Sequence, residues 1–432
     1  MKTALVWLRN DLRFQDQNSF YKSCKDFDRV VAYFAFEPKD YEKTAWGFQK
    51  TGKFRIQFLL ETLKSLDIEL KQNNISLIVE NRSAVTGIPI WIEELQASSL
   101  FYQEEWTKEE KTISCNVCSR LSENIEINSH FDQFLFHPED IQIDIDNIPQ
   151  VFTAFRKKCE KYSEIRSCFN RPKLLDNISL LEKTPIIPVL EDFGHSPFEL
   201  HPNSVFPFKG GTHEGLDHLN NYFWNSKRLS FYKKTRNGLV GVNYSSKFSP
   251  WLANGSLSAR MIYWEVKRYE EEVDKNDSTY WLIFELIWRD YFKYISLKHG
   301  NSIFLLGGIL NKEYTWNSKP EFFLKWIEGE TTEPFVNANM IELKKTGFMS
   351  NRGRQNVASY FAKNMMMDWR MGAAYFEKEL IDYDVHSNWG NWMYVAGVGN
   401  DPRDRQFNIK LQSERYDQKG HYQKLWLQNT LF

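Results

Sequence analysis

Two segments decide most about the fold and the site of this chain: TGFMSNRGRQNVAS, residues 346–359, and DYDVHSNWGNW, residues 382–392. The first concentrates Asn, Arg and Gln side chains within a few helical turns, and the second places Asp and Asn residues among Trp and Gly. Polar groups are costly to bury without hydrogen-bond partners. So many of them in an aromatic context indicate the lining of a site for a large, polar, planar ligand.

The composition predicts a globular protein of two domains with an aromatic interior. A length of 432 residues exceeds one ordinary domain, and 42% of the residues are hydrophobic. The 15 Trp and 33 Phe residues are explained by packing or, for a subset, by stacking or electron transfer. The net charge is −1, but residues 201–432 carry +5 and the remainder −6. This asymmetry permits a local nucleic-acid surface without demonstrating one.

The cysteines and the apolar runs predict a cytoplasmic protein. Cys115 and Cys118 form a CxxC pair with no second pair at zinc-ribbon spacing, so we expect no metal site and treat the five Cys as buried or incidental thiols. The opening MKTALVWLRNDLRF has an apolar run that stops at Arg9, which is typical of a first strand rather than a signal peptide. No run is long and apolar enough to span a bilayer. For the oligomeric state, we expect a monomer.

The first third of the chain alternates strand and helix patterns. Helical spacing occurs at Phe54–Leu66, between compact apolar runs that predict strands at Thr3–Leu8, Arg29–Phe36, Ile75–Val79 and Leu100–Tyr102. This alternation predicts an α/β domain over residues 1–134, with a doubly wound parallel sheet. The GxGxxG fingerprint of dinucleotide-binding domains is absent.

The rest of the chain divides into a linker and a helical domain. Residues 135–205 hold seven of the 14 prolines, which predicts a long surface linker with a short helix at Thr153–Tyr162. Residues 206–432 predict an all-α domain. Its helices are expected at Leu216–Trp224, Ser258–Glu271, Tyr280–Leu297, Pro320–Trp326, Asn337–Lys345, Arg352–Met366 and Ala373–Leu380.

The segment SSKFSPWL, residues 245–252, has the pattern of a helix start. Ser249 before Pro250 predicts an N-cap followed by the first helical residue. Ser245, Ser246 and Lys247 add hydroxyl, amide and ammonium donors beside the positive helix end, which suits a phosphate. An ordinary capped helix explains the same pattern.

Charged residues at helical spacing leave two interpretations open. Glu285 and Arg289 lie on one face of a predicted helix, so they either pair with each other or leave Glu285 to accept hydrogen bonds from a bound base. For Arg354, a buried ion pair with Asp382 or Asp384 is the alternative to contact with a ligand. That pair leaves the neighbouring amides unexplained.

Six motifs in order make the chain resemble the photolyase/cryptochrome family from end to end, and most of all its DASH cryptochromes. The motifs are WLRNDLR, TRNGLVGVNYSSKFSPWLANGSLS, STYWLIFELIWRDYF, PFVNANM, TGFMSNRGRQNVASYF and DYDVHSNWGNWMYVAGVGNDPR. The resemblance implies an N-terminal α/β antenna domain and a C-terminal helical domain that binds FAD in a folded, U-shaped conformation.

The resemblance also implies which residues contact FAD. Phosphate and ribityl contacts are expected from Tyr232, Ser245, Ser246, Lys247, Phe248 and Ser249. Flavin-lining positions are Glu285, Arg289, Asn351, Arg354, Asp382, Asp384 and Asn388. Asn388 matches the position near the flavin N5, where Asn fits a flavin that reaches its fully reduced anionic state.

Electron-transfer and lesion-binding residues follow from the same resemblance. Trp392, Trp369 and Trp316 match the family's electron chain, and Glu285, Trp288, Asn351, Gln355 and Tyr394 match the lesion pocket. Gln355 and Tyr394 replace a Met and a Trp of duplex-acting photolyases, which implies a more polar pocket and a preference for single strands. Backbone contacts are expected from Arg352, Arg403, Arg405 and Lys410, unless these are only solvated surface residues.

The expected function is blue-light repair of cyclobutane pyrimidine dimers in single-stranded DNA by reduced FAD. Gln103, Glu104 and Glu105 resemble contacts to a methenyltetrahydrofolate antenna. The alternatives are a blue-light sensor that signals through a partner and an aromatic-rich nucleotide-binding protein without photochemistry. The end of the chain at Phe432, soon after the helical domain, favours repair over signalling.

Overall fold

A computed structural model describes residues 2–176, 181–182 and 184–428. Met1 and residues 429–432, at the two ends of the predicted domains, lie outside the described residues.

The N-terminal region forms the predicted parallel sheet. Its five strands lie in the order β3-β2-β1-β4-β5, with β1 between β2 and β4. All four pairings are parallel, and Ala4 on β1 is opposite both Val30 on β2 and Ser99 on β4. The strands are β1 Thr3–Leu8, β2 Arg29–Ala35, β3 Ser76–Glu80, β4 Ser99–Gln103 and β5 Glu126–His130.

Helices cover both faces of this sheet, so it is doubly wound as predicted. Ala4, Val6 and Leu8 pack against helices α1 and α2, and Leu5 and Trp7 pack on the other face, against α3 and α4. Side chains alternate between the faces of a strand, and both sets are buried here, as in other parallel sheets. The helices are α1 Asn18–Asp26, α2 Lys53–Gln72, α3 Ala84–Glu94 and α4 Lys108–Cys118.

Helix α3 and strand β5 carried too weak a signal to be predicted. Helix α3 contains Gly87 and Pro89, two residues that disfavour helices. Glycine is required at residue 87 because a Cβ there would lie 1.9 Å from Tyr33 Oη on β2. Strand β5 is a polar edge strand with mostly exposed side chains, so no alternation marks it in the sequence.

The proline-rich connection contains one α-helix among its described residues, α5 at Phe152–Tyr162, close to the predicted bounds. Short 3-10 turns occur at Ile145–Asn147 and Leu190–Phe193. The start of α5 reaches the helical region, where Phe152 stacks on Trp288 with ring centroids 3.6 Å apart. The domain boundaries at residues 134 and 205 stay predictions.

Helices make up most of the regular structure from residue 212 onward, as predicted. The predicted helices near residues 216–224 and 352–366 both end in π-helical turns, at Asn221–Asn225 and Tyr360–Asn364. The helices are α6 Thr212–Asn220, α7 Tyr232–Thr235, α8 Ser249–Ala253, α9 Ala259–Glu272, α10 Asp277–His299, α11 Pro320–Glu328, α12 Pro334–Thr346, α13 Asn351–Ser359, α14 Trp369–Glu379, α15 Val385–Ala396, α16 Ile409–Tyr416 and α17 His421–Leu427.

The predicted N-cap at Ser249 is wrong. Helix α8 is only five residues long and starts at Ser249 itself. Phe248 occupies the N-cap position, and no side chain caps the helix. The extended conformation that an N-cap needs is absent at Phe248, where φ is −75° and ψ is −10°.

A buried ion network joins the loops around the sheet to helix α9. Arg260 donates to Asp16 at 2.9 Å and to Asp132 at 2.7 Å, and Arg13 donates to Asp132 at 3.1 Å. These four side chains are nearly inaccessible to solvent. The network fixes the helical region against the sheet, and so positions the cavities described below. Within the described ranges, no helix is both long and apolar enough to cross a membrane.

Candidate functional site

The helical region encloses a cavity of about 570 Å³ that gathers most of the predicted site residues. Its walls come from α7, α8, α10, α13 and α15 and from the segment between α7 and α8. The predicted residues that line it are Tyr232, Ser245, Ser246, Lys247, Phe248, Ser249, Glu285, Trp288, Arg289, Asn351, Arg352, Arg354, Gln355, Asp382, Asp384, Tyr394 and Arg405.

The buried ion pair that the sequence allows for Arg354 forms with Asp382. Arg354 Nη2 donates to both carboxylate oxygens of Asp382 at 2.9 Å, and Arg354 Nε donates to Met349 O at 2.9 Å. Asp382 is buried, so its charge depends on this partner. The pair places a fixed cation and a fixed anion on one wall of the cavity.

Asp384 has a different partner, Lys293 on α10. Lys293 Nζ lies 3.2 Å from the Asp384 carboxylate, which also caps α15 by accepting from Ser387 N at 2.8 Å. Burial raises the pKa of Asp384, but Lys293, with smaller contributions from His386 and Arg289, lowers it well below its usual range. Asp384 is therefore a permanent anion in the cavity wall.

Glu285 pairs with Arg236 and not with Arg289. The Arg236 guanidinium lies 2.7 Å from Glu285 Oε1. Arg289 instead donates to Gln133 O at 2.6 Å and to Leu252 O at 2.9 Å. The alternative in which Glu285 and Arg289 pair within α10 is thus wrong, because the Arg289 guanidinium is directed at these two backbone carbonyls instead. Burial raises the pKa of Glu285, and Arg236 opposes that rise.

The mouth of the cavity combines aromatic rings with fixed amide and phenol groups. Trp288 stacks on Phe152 and meets the edge of Tyr394, with ring centroids 6.2 Å apart. Tyr394 Oη accepts a hydrogen bond from Arg405 at 2.8 Å. Gln355 Oε1 accepts from Arg352 at 2.9 Å, which leaves its amide N–H groups without an acceptor among the described residues.

Lys247 is a buried cation with no hydrogen-bond partner among the described residues. It is 3% exposed, and its Nζ lies 3.2 Å from the centroid of the Tyr244 ring. Its φ of +56° is rare outside glycine and marks local backbone strain. Burial lowers its pKa well below the usual value, while Glu342 acts in the opposite direction. An unpaired ammonium that lines a cavity is suited to an anionic ligand such as a phosphate.

An inner recess of about 100 Å³ extends the cavity towards Asn388 and Trp392. Asn388 Nδ2 donates to Ala373 O at 3.0 Å, which fixes the amide. Trp392 packs closely on α14, because a Cβ at Gly372 would lie 2.3 Å from its ring. The recess thus brings together the residue predicted nearest a flavin N5 and the first predicted electron-transfer Trp.

The other two predicted electron-transfer tryptophans lie at and beside the start of α14. Trp369 is fully buried at the start of α14 and donates from Nε1 to Leu306 O at 3.0 Å. Trp316 is partly buried and packs on Tyr314. Its segment pairs with the chain just before α14, where Asp368 N donates to Asn317 O at 3.0 Å. Their order in an electron chain and their role stay predictions.

A second cavity of about 490 Å³ lies between the carboxyl ends of the strands and the helical region. Gln103 and Glu105 line it, and Glu104 does not. Arg289 and Asp384 line both cavities, so the two share a wall.

Two of the four basic residues predicted to contact DNA lie apart from the main cavity. Arg403 and Lys410 are exposed and do not line it, whereas Arg352 and Arg405 do. Nowhere in the described ranges do three or more His, Cys, Asp or Glu residues form a group that could hold a metal ion.

Several residues that shape the site were not among the predicted site residues. Lys293 could have been found, because it follows Glu285 and Arg289 at four-residue intervals on one helix face. Phe152 and Glu342 gave no such signal, since they come from α5 and α12, far away in the sequence.

Comparisons with known proteins find families and individual proteins that are similar to this chain. Residues 4–173 match the DNA photolyase family, and residues 281–430 match the FAD binding domain of DNA photolyase. The chain is 46% identical over 428 residues to a DASH cryptochrome of Synechocystis sp., with 98% of this chain and 87% of that protein covered. It is 43% identical over 433 residues to a DASH cryptochrome of Xenopus laevis, covering 99% and 82%.

A solved structure of a Synechocystis sp. cryptochrome is also similar. It superposes with a TM-score of 0.94 at 46% identity, and the match covers 99% of this chain and 89% of that one.

Proposed function

The chain belongs to the photolyase/cryptochrome family, in its DASH cryptochrome branch, and we propose on that basis that it repairs cyclobutane pyrimidine dimers with light. The preferred substrate would be single-stranded DNA, and the cofactor FAD. A cytoplasmic location and a monomeric state stay predictions.

One observation carries this proposal: the buried polar recess and the cavity with the aromatic mouth adjoin, because Arg354, Asp382 and Asp384 line both. The recess also holds Asn388, and the mouth holds Glu285 and Trp288. A redox cofactor along the shared residues and a flipped-out base at the mouth would therefore be neighbours. Such proximity favours direct electron transfer between the two.

The residues of the cavity fit FAD. The unpaired Lys247 ammonium and the nearby Ser245 and Ser246 suit the pyrophosphate, and the fixed groups of Arg354, Asp382 and Asn388 suit a ring with donors and acceptors on its edge. Reduced FAD would supply the light-absorbing group and the transferable electron. A cavity of this size, with few polar groups in fixed positions, is typical of cofactor sites.

Glu285 would bind the pyrimidine dimer and stabilise negative charge that develops on its carbonyl oxygens. Its pKa is raised by burial, so proton uptake is feasible and would turn the side chain into a hydrogen-bond donor. Arg236 holds the carboxyl group in place at 2.7 Å. Trp288, backed by Phe152, offers a rigid stacking surface for a base.

The polarity of the mouth supports the preference for single strands. Arg352 fixes Gln355, and Arg405 holds the Tyr394 hydroxyl, so two positions of the mouth present polar groups rather than apolar surface. Extrusion of a base from a duplex costs a few kcal/mol, and apolar stacking would have to offset that cost. A single strand avoids most of it.

The second cavity is our proposed site for a methenyltetrahydrofolate antenna. Gln103 Oε1 and Arg9 Nη1 are buried there without hydrogen-bond partners among the described residues. Groups of this kind would be satisfied by the polar edge of a pterin ring. Because Glu104 lies outside this cavity, we propose contacts from Gln103 and Glu105 only.

The decisive experiment measures repair in single-stranded and duplex oligonucleotides that each contain one thymine dimer, with flavin-loaded, chemically reduced protein under blue light. We expect repair in both and a higher rate in the single strand. The double variant Gln355→Met with Tyr394→Trp makes the mouth more apolar. It should therefore reduce the difference between the repair rates in single-stranded and duplex DNA.

Flavin content is measured on the same samples. Absence of flavin from the purified protein would overturn the cofactor assignment. Bound flavin with dimers left intact in both substrates would instead favour a light sensor with little repair activity.

A further inference from the structure

Trp389 occupies an unexpected place beside the predicted electron chain. It lies three residues before Trp392 on α15, yet its ring packs against Trp369, with centroids 5.6 Å apart and planes at 76°. This is the one aromatic ring contact of Trp369 among the described residues. Trp389 is therefore well placed to exchange an electron with Trp369.

Trp389 also reaches the second cavity. It is 8% exposed and lines that cavity together with Tyr383. Its Nε1 donates to Tyr383 Oη at 3.3 Å, which fixes the orientation of the indole. Trp316 lines neither cavity.

Other tryptophans near Trp392 do not offer the same route. Trp326 contacts Trp392, with centroids 6.1 Å apart, but it is fully buried and lines none of the cavities described above. An electron hole that reached Trp326 would find no donor there. Trp389 combines contact with the chain and access to a solvent-connected space.

We propose that Trp389 is a second terminus of the aromatic chain, through which a small thiol in the second cavity supplies electrons for reduction of the flavin. The proposal rests on the proposed function, because it requires that Trp392 donates the first electron. Trp316 and Trp389 would then be parallel branches that diverge at Trp369.

The electrons balance as follows. Trp392, once oxidised by a bound flavin under light, would recover an electron from Trp369, and Trp369 would recover one from Trp389. A thiolate in the second cavity then gives one electron to the oxidised indole of Trp389, which returns to its neutral form with its N–H proton. Two such events convert a dithiol into its disulfide, with release of two protons and two electrons.

Parallel branches predict a specific pattern among variants. Photoreduction of oxidised flavin is followed without oxygen, with dithiothreitol as donor, in Trp316→Phe, Trp389→Phe and the double variant. Each single variant should keep a substantial part of the rate, and the double variant should fall about tenfold, more than the single effects combined. Transient absorption should show a tryptophan radical in each single variant that is shorter-lived in the double variant. Trp326→Phe is the matched control and should reduce at the unchanged rate.

Occupancy of the second cavity gives a test that leaves Trp389 intact. Methenyltetrahydrofolate added to Trp316→Phe should slow reduction by dithiothreitol, because the remaining branch opens into the cavity that the folate would fill. A folate effect equal to that in the unchanged protein would overturn the proposal. So would a loss in Trp316→Phe alone that equals the loss in the double variant.

The variant Trp392→Phe tests the proposed electron path through Trp392 separately from its Trp389 branch. A rate as low as that of the double variant supports a common chain through Trp392. An unchanged rate would show that the chain does not start there, and both the proposed electron path and its Trp389 branch would be wrong.

Discussion

At the scale of single residues, helical spacing identifies which charged groups share a face but not which of them pair. Glu285 and Arg289 are one turn apart on α10, yet Glu285 pairs with Arg236, the residue that follows α7. Arg289 instead donates two hydrogen bonds to backbone carbonyl groups. Arg354 and Asp382 do pair, across 28 positions of sequence. The partner of a charged side chain thus depends on which backbone and side-chain groups the packed structure places beside it.

The Glu285–Arg236 pair leads to a prediction at this scale. Burial raises the pKa of Glu285 and Arg236 lowers it. Arg236→Met removes the lowering contribution, so we expect the protonation midpoint of Glu285 to move upward. The measurement is an infrared titration of the carboxyl band, assigned with Glu285→Gln.

Lys233→Met is the control for that titration. Lys233 lies on α7, three residues before Arg236, and pairs with exposed Asp277 at 3.0 Å. It should leave the midpoint of Glu285 in place. If neither substitution changed the protonation midpoint of Glu285, Arg236 would not stabilise the charged form of Glu285 in solution.

At the scale of elements, periodicity located the helices but could not give their packing. Helix α12 was expected from its apolar spacing, and its partner α17 was not expected at all. The contact between the two contains a buried acid, Glu342, whose carboxylate accepts from Tyr422 Oη at 2.5 Å. Its second oxygen has no partner among the described residues.

The raised pKa of buried Glu342 makes the stability of the protein depend on pH. Burial raises its pKa from 4.5 to about 7, so the folded protein binds a proton that the unfolded chain releases. The contribution of Glu342 to the free energy of unfolding should therefore decrease as pH rises from about 4.5 to about 7 and should be constant above that range. Glu342→Gln keeps an oxygen for Tyr422 and removes this contribution, with a gain of about 3 kcal/mol at pH 8. Glu110 and Glu377, whose pKa values burial also raises to about 7, keep their own contributions in this variant.

Urea unfolding at pH 5 and pH 8 measures this effect. Glu321→Gln, at an exposed position on α11, should change the free energy of unfolding at neither pH. The account of Glu342 would fail if its Gln variant kept the full pH dependence of the unmodified protein.

At the scale of the whole molecule, the sheet and the helices form a shared wall around both cavities. The loops after β1 and β4 bring Asn10 and Glu105 to the second cavity, beside Gln103 at the end of β4. Helix α10 contributes Arg289 and Lys293. The Arg260 network with Asp16 and Asp132 connects these two parts of the chain. Its burial makes the relative position of the two parts specific.

Removal of Arg260 tests that role. Arg260→Met leaves Asp16 without its ion-pair partner and Asp132 with Arg13 alone, so we expect a loss of about 3 kcal/mol or more in the free energy of unfolding. Arg268→Met, on the exposed face of the same helix, should cost less than about 1 kcal/mol. Equal losses, measured by urea unfolding, would show that the network does not stabilise the fold.

The sequence by itself determined the fold class, most helices and strands, and the residue types around the main cavity. These depend on local properties: apolar period, turn chemistry and motifs that keep their order along the chain. Helix α3 was missed because a contact with Tyr33 requires Gly87, against local propensity.

Only the tertiary structure decided the ion partners, the second cavity and the place of Trp389. Each of these depends on how elements far apart in sequence are oriented against one another. In the sequence Trp389 is one of several Trp residues in its motif, whereas in the structure its ring packs against Trp369 and it lines the second cavity. Sequence spacing fixes the face of a helix on which such a ring lies, whereas the neighbouring elements determine what that face contacts.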